Sequence, residues 1–226
     1  MDQKIVEDII KKVMDQMEGA AKAPEAAGAG RVSCDSTVPV ELSGHHVHLS
    51  EEDIKELYGA PLTFVKELSQ PGQYLCKERV RLIGPSGVID NVAVLGPARP
   101  KSQVEVSLTD ARILGMKAPV RQSGDVEGTP GIVLASSTGL VGLKEGVLVA
   151  ARHIHMSPDD AARFGVTDNQ KVSVHMDGER PAVFKDVIVR VHKDFRLAMH
   201  IDFDEANSCG LGKAARGRIV GITQEA

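Results

Sequence analysis

The sequence predicts a mainly β fold of barrels or sandwiches built by internal duplication, and three observations predict it. From Val38 onward the chain is written in short β-branched runs, among them VPVELSG, ERVRLIG, NVAVLG, QVEVSL, GIVLAS, GVLVAARHIHM, KVSVHM, PAVFKDVIVRVH and RLAMHIDF, separated by Gly, Pro and Asp turns. Helical patterns are brief, notably after Ser50, Thr109 and Ser157, so the regular strand–helix alternation of a doubly wound sheet is missing. The body also repeats itself: GHHVHLSEEDIKELYG at 44–59 returns as RHIHMSPDDAARFG at 152–165.

Taken in order, the chain opens on an amphipathic helix over residues 1–19. Val6, Ile9, Ile10, Val13, Met14 and Met17 recur at three- and four-residue steps, with charged residues between them. The stretch EGAAKAPEAAGAGR follows, within a flexible linker over residues 20–36 that supplies little to pack. A detached apolar stripe needs a partner, either a second copy in a homo-oligomer or another protein. No continuous apolar segment resembles a secretory signal or approaches the ~18 residues of a membrane span, so a cytoplasmic location without membrane contact is expected.

Composition narrows the function further. A formal net charge of -4 and few aromatics (five Phe, two Tyr, no Trp) provide neither a basic footprint nor stacking platforms, so nucleic acid is not expected as a partner. Cys34, Cys76 and Cys209 have no C-x-x-C spacing, which argues against a disulfide framework and a thiolate metal knuckle; Cys76 and Cys209 are expected to be unreactive.

The duplication carries the chemistry. VEVSLTDARILG (104–115) aligns with MHIDFDEANSCG (199–210), which places Glu105 on His200. His46 and Glu105 are 59 residues apart and His153 and His200 are 47 apart, so the first copy holds about twelve extra, most simply within LTFVKELSQPGQYLCK. Alternate strand residues share a face, so His46 with His48, and His153 with His155, can each converge on one ion. Ser50 and Ser157 begin S-x-x-D patterns that cap a following helix, with Asp53 and Asp160 in the third position. Each copy therefore offers three ligands of the kind zinc takes, His46, His48 and Glu105 in one, His153, His155 and His200 in the other, with a position left open as in catalytic sites. His45, His175 and His192 read as surface or supporting histidines.

Arg99 lies in the turn of GPARPKSQ and Arg190 on the strand VIVRVH, so either can bring a guanidinium to an anion, phosphate in particular, or serve a structural ion pair. Ser123, in RQSGDVEG, has no triad context and reads equally as a turn residue.

HVHLS, QPGQY, GPARP, QSGD, RHIHMSPDDA and MHIDFDEAN, in this order from about Val38 to Ile219, resemble the PduL-type phosphotransacylases, the phosphate propanoyltransferases of bacterial microcompartments. One departure is His45, where many members carry Arg before H-V-H. The resemblance implies two antiparallel β-barrels capped by short helices, approximately 43–150 and 37–42 plus 151–222, within a body spanning 37–222. It implies two zinc ions, one on His46, His48 and Glu105, the other on His153, His155 and His200. Arg99, Arg190 and Ser123 then act in catalysis, and Gln73 and Gln103 join the arginines in binding substrate. The implied reaction exchanges acyl-CoA (propionyl-CoA or a similar short chain) plus phosphate with acyl phosphate plus coenzyme A. Without an activated Cys or Ser, direct attack of phosphate held at the metal on the thioester is expected. Residues 2–18 would address the enzyme, a homo-oligomer, to shell or core proteins in the microcompartment lumen. Alternatives are a metal-dependent hydrolase of the H-x-H type, whose (β/α)₈ barrel needs more helices, and a non-catalytic metal-binding cargo or scaffold protein.

Overall fold

The structure is a computed structural model and describes residues 37–212 and 215–223. The helix expected over residues 1–19, the linker over 20–36 and Cys34 lie outside the described residues. The chain enters with β1 (Thr37–Leu42). The first half then runs β2 (His46–His48), α1 (Glu51–Tyr58), β3 (Phe64–Glu67), β4 (Tyr74–Ile83), β5 (Val88–Gly96), β6 (Gln103–Glu105), α2 (Leu108–Leu114), β7 (Val120–Arg121), β8 (Ile132–Ala135), β9 (Leu140–Leu143) and β10 (Val147–Ala150). The second runs β11 (His153–Met156), α3 (Pro158–Phe164), β12 (Lys171–Met176), β13 (Ala182–Val191), β14 (Ala198–Ile201), α4 (Phe203–Cys209) and β15 (Arg216–Ile222).

The mainly β expectation holds, with short helices between the strands. The second half is a closed barrel in the order β1-β14-β11-β13-β12-β15. The first half is a nine-stranded curled sheet in the order β7-β10-β6-β2-β5-β4-β8-β9, with β3 attached to β4. The two series match strand for strand: β10, β6, β2, β5, β4 and β8 stand where β1, β14, β11, β13, β12 and β15 stand. The final seam differs. In the second half β15 pairs β1 over three residues. In the first, Val147 N donates to Pro130 O at 3.0 Å just ahead of β8, and Pro130 has no N–H with which to continue a ladder.

The pairing is less uniformly antiparallel than expected. β2 runs parallel to β5, β11 to β13, β1 to β14, and β10 to both β6 and β7. Helices α1 and α3 follow the H-x-H strands directly, and such crossovers permit a parallel return.

Each half has its own aliphatic core, centred on Val47, Leu49, Leu82 and Val92 in one and on Ile154, Met156, Met176 and Val189 in the other. This division decides where the histidines point. Val47 and Ile154, the middle residues of the H-x-H strands, are fully buried in these cores, so the alternating side chains on either side of them must face the other way.

Capping turns the chain sharply after each such strand. Ser50 accepts from Asp53 N, and Ser157 from Asp160 N, at 3.1 Å, and both helices end on a left-handed glycine, Gly59 and Gly165. The helix expected after Thr109 begins at Leu108, because Ser107 is its cap and Asp110 N donates to the Ser107 hydroxyl. Its counterpart α4 is capped by Asp202. The halves touch where these helices meet: Thr109 N donates to Asp204 at 2.8 Å, residues that are equivalent under the duplication. None of the described helices is long and apolar enough to cross a membrane.

Candidate active site

The strand registers bring the predicted ligands together. His46 faces Glu105 across the antiparallel β2–β6 pair, and His153 faces His200 across β11–β14. In the first half one ligand atom each from His46, His48 and Glu105 falls within 4.8 Å of the others. In the second, the ring centroids of His153, His155 and His200 lie 4.6, 5.2 and 4.9 Å apart. Both trios line one cavity of about 620 Å³, together with Arg99, Arg190, Ser123 and Gln73.

The imidazoles are set up for coordination. Nδ1 of His46 hydrogen-bonds the carbonyl of Gly44, and Nδ1 of His153 that of Ala151, each at 2.8 Å. Each contact holds the ring proton on Nδ1 and leaves Nε2 as a lone-pair donor. Nδ1 of His48, Nδ1 of His155 and Nε2 of His200 are buried with no hydrogen-bond partner. Buried polar atoms of this kind are costly unless a ligand completes them; the His46, His48 and Glu105 group has the spacing to hold a divalent ion, while the second trio shows clustered rings with two unpartnered nitrogens.

Charge separates His46, whose pKa Glu105 raises against the effect of burial, from the other histidines of the trios, which are lowered. Burial, then the neighbouring charge of His46, lowers the pKa of His48 to about 3. Burial, with His200 next, lowers His153 to about 4; burial is also the first cause for His200, again to about 4. Neutral imidazoles are the form that binds metal. Burial by itself would push Glu105 up, but His46, His48 and Ser123 outweigh it and hold the carboxyl well below the usual range. Its Oε2 lies 3.5 Å from Nε2 of His46.

Several predicted site residues serve that carboxylate. Ser123 donates to Glu105 Oε1 at 2.8 Å and receives a hydrogen bond from Arg99 at 3.1 Å. Gln103 donates to the same Oε1 at 2.6 Å and to Ser123 at 3.0 Å, while its own carbonyl oxygen accepts from Gly124 N at 2.6 Å. Gln103 is only 1% exposed and lies behind Glu105 rather than on the cavity wall. From there its side chain bonds the Glu105 carboxylate and the Ser123 hydroxyl.

Arg190 stands opposite His155 in the parallel β11–β13 register, and Arg99 follows β5 in the first half. Arg99 has a lowered pKa, through burial first, and through Arg190 against the opposing pull of Glu105. Two guanidinium groups that feel one another across a cavity call for an anion between them. Cys76 and Cys209 are buried free thiols; burial first, then Glu78, pushes Cys76 up to about 11, and burial raises Cys209. Neither is suited to act as a nucleophile.

His45 hydrogen-bonds Asp110 at 3.3 Å. Its duplicate position is Arg152, which pairs Glu205 at 2.9 Å, so His45–Asp110 is the first half's form of the same contact. His192 and His175 sit beside the exposed Asp194 and Asp177. Sequence reasoning missed Glu41, Phe195 and Gln70. Glu41 Oε2 lies 3.9 Å from Nδ1 of His200, and the Phe195 ring packs on His155 with centroids 4.3 Å apart. No motif marks Glu41, since only the parallel pairing of β1 with β14 puts it beside His200.

The fold and site define a two-half β protein that turns two histidine clusters and two arginines onto one cavity. The phosphate propanoyltransferase family profile matches residues 39–212 of it. A phosphate propanoyltransferase of Enterococcus faecalis is 49% identical over 218 residues, covering 96% of this chain and 95% of the relative. One from Listeria monocytogenes is 52% identical, covering 86% and 92%, and one from Thermotoga maritima is 53% identical, covering 76% and 83%. The chain belongs to the phosphate propanoyltransferase family, enzymes of the acyltransferase class.

Proposed function

We propose that this chain is a zinc-dependent phosphate acyltransferase that interconverts a short acyl-CoA, such as propionyl-CoA, plus phosphate with acyl phosphate plus coenzyme A. The observation that carries the reading is the convergence of both histidine trios and both arginines on one cavity. His46, His48 and Glu105 would hold one ion, and His153, His155 and His200 a second. Bound there, zinc supplies Lewis-acid chemistry, drawing electrons from a thioester carbonyl and neutralising phosphate charge.

The protein's own groups do the positioning. Arg99 and Arg190 receive phosphate between them, with two forked donors each, and so hold a weak nucleophile that bulk water would otherwise outcompete. Ser123 ties Arg99 to Glu105, which couples the phosphate site to the first trio. Gln73 lines the same cavity as a neutral donor for substrate. A phosphate oxygen forms the bond to the thioester carbon, the carbon–sulfur bond breaks, and the proton of hydrogen phosphate ends on the coenzyme A sulfur. Direct attack is favoured because Ser123 has no imidazole partner and the described thiols are buried with raised pKa.

The test is release of coenzyme A from propionyl-CoA. Release is expected to require phosphate, to stop after chelation and to return with zinc. Release without phosphate, or release unaffected by metal removal, overturns the reading.

We further propose that residues 2–18, with their apolar stripe, address the enzyme to shell or core proteins of a microcompartment and promote homo-oligomers. A fluorescent protein carrying residues 1–20 is expected to co-purify with compartments, and deletion of those residues is expected to reduce assembly size by light scattering. Unchanged size and a diffuse reporter would refute this.

A further inference from the structure

The extra residues that break the duplication end in a corner that reaches the other half. β3 pairs with β4 and lies off the main strand path. Beyond it, Gln70-Pro71-Gly72-Gln73 forms a tight turn: Gln73 N donates to Gln70 O at 3.2 Å, and Gly72 supplies φ +80. Proline before a positive-φ glycine is the pattern of a type II turn. The turn holds Ser69 and Gln70 against the second half.

Both side chains make contacts there. The Ser69 hydroxyl donates to Oε2 of Glu41 on β1, the oxygen that faces Nδ1 of His200. Gln70 is 4% exposed and bonds the backbone of Arg196 in both directions, its amide donating to the carbonyl at 3.1 Å and its oxygen accepting from the N–H at 3.3 Å. Arg196 follows Phe195, the residue packed on His155. One corner of the first half thus bears on two of the three histidines of the second, on His200 through Glu41 and on His155 through the Arg196 backbone and the Phe195 ring. Those two rings have no backbone-carbonyl anchor like the Gly44 and Ala151 contacts of His46 and His153, and each keeps a buried nitrogen without a partner.

We infer that Ser69 and Gln70 are positioning residues for the second histidine trio: Ser69 acts through Glu41 to hold His200 with its proton on Nδ1, and Gln70 acts through the Phe195 loop to hold the His155 ring. The inserted segment is what makes the second site depend on the first half. A carboxylate oxygen 3.9 Å from Nδ1 is beyond hydrogen-bond length, and its charge favours the tautomer with the proton on Nδ1 and Nε2 open. The clamp's value for metal binding rests on the reading that this trio holds zinc; its effect on the rings does not.

The experiment uses the full chain, metal-free and zinc-loaded. In the metal-free protein, histidine ring nitrogen NMR should show His200 as the Nδ1–H tautomer, mixed in Ser69→Ala and Glu41→Gln and restored in Ser69→Thr. The His155 ring signals should move in Gln70→Ala and in Gln70→Met, which keeps side-chain length should the alanine variant fold poorly. Zinc titration in a Glu105→Gln background, where the second trio is the site left intact, should show affinity falling about 10- to 100-fold in Ser69→Ala or Gln70→Ala. Ring signals that superimpose on the parent in folded variants overturn the inference. If the parent takes up no zinc at this trio, the metal reading fails, and the ring signals still decide the clamp.

Discussion

Glu105 and His200 occupy equivalent places in the two halves, each directly across an antiparallel strand pair from the first histidine of an H-x-H. The carboxylate in one trio and the imidazole in the other give the two sites different charge. The second half regains a carboxylate nearby through Glu41, whose partner in the parallel register is His200; the corresponding residue of the first half is Leu148, paired with Glu105. The two trios are therefore similar in shape and unequal in chemistry.

Removing the charge of Glu105 tests the first site. Glu105→Gln should lower zinc content by one ion per chain and reduce phosphate-dependent coenzyme A release by about 100-fold or more, since Lewis-acid stabilisation is worth several kcal/mol. Metal analysis beside a thiol assay checks both. Full zinc content in the variant would contradict the assignment.

Arginine-to-lysine changes test the anion site. Arg99→Lys or Arg190→Lys keeps the charge and loses the two-pronged grip, so the KM for phosphate should rise about 10- to 100-fold, the equivalent of one charge-assisted hydrogen bond. The zinc content should stay as in the parent. A KM change for acyl-CoA alone would place the arginines elsewhere in the reaction.

Acid should destabilise the metal-free protein well above the carboxylate range. His153 and His200 have pKa values lowered to about 4, and His48 to about 3, against 6.5 for a free histidine. Below pH 6.5 the unfolded chain takes up protons that the folded chain refuses, so stability falls as pH drops from 6.5 toward about 3. His46 acts in the other sense: Glu105 overcomes its burial and raises its pKa, so its contribution is present below 6.5 and fades as pH rises through the folded value. His155 is depressed as well, through burial first and then His153, so with four depressed histidines against one the melting temperature after chelation should decline between pH 6.5 and 4.5. A flat profile there would show that these rings are not held neutral.

His45 tests the duplicated ion pair. His45→Arg should reproduce the Arg152–Glu205 contact with Asp110 and stabilise by about 0.2–1 kcal/mol, while His45→Ala should not. Thermal unfolding of the two variants reads the difference.

The ligand trios were legible because coordination needs particular residue types and strands have a period of two. H-x-H with an apolar centre states both the chemistry and the face, and duplication supplied the third member by alignment. The S-x-x-D caps were equally legible, being local in sequence. Gln103 shares a face with Glu105 two residues along β6, so the strand period already sets it beside that carboxylate, and the fold adds the Ser123 and Gly124 contacts.

The sequence by itself determined the mainly β class, the repeat and the six ligand-type residues, because hydrophobic alternation and residue chemistry are written within short windows. Tertiary structure alone decided that both trios face one cavity, that β1 crosses into the second barrel to bring Glu41 to His200, and that the Ser69–Gln70 corner meets the opposite half. Those contacts join residues as much as 159 positions apart, as from Glu41 to His200, and arise from strand pairing and turn geometry between segments that carry no mark of each other in the chain.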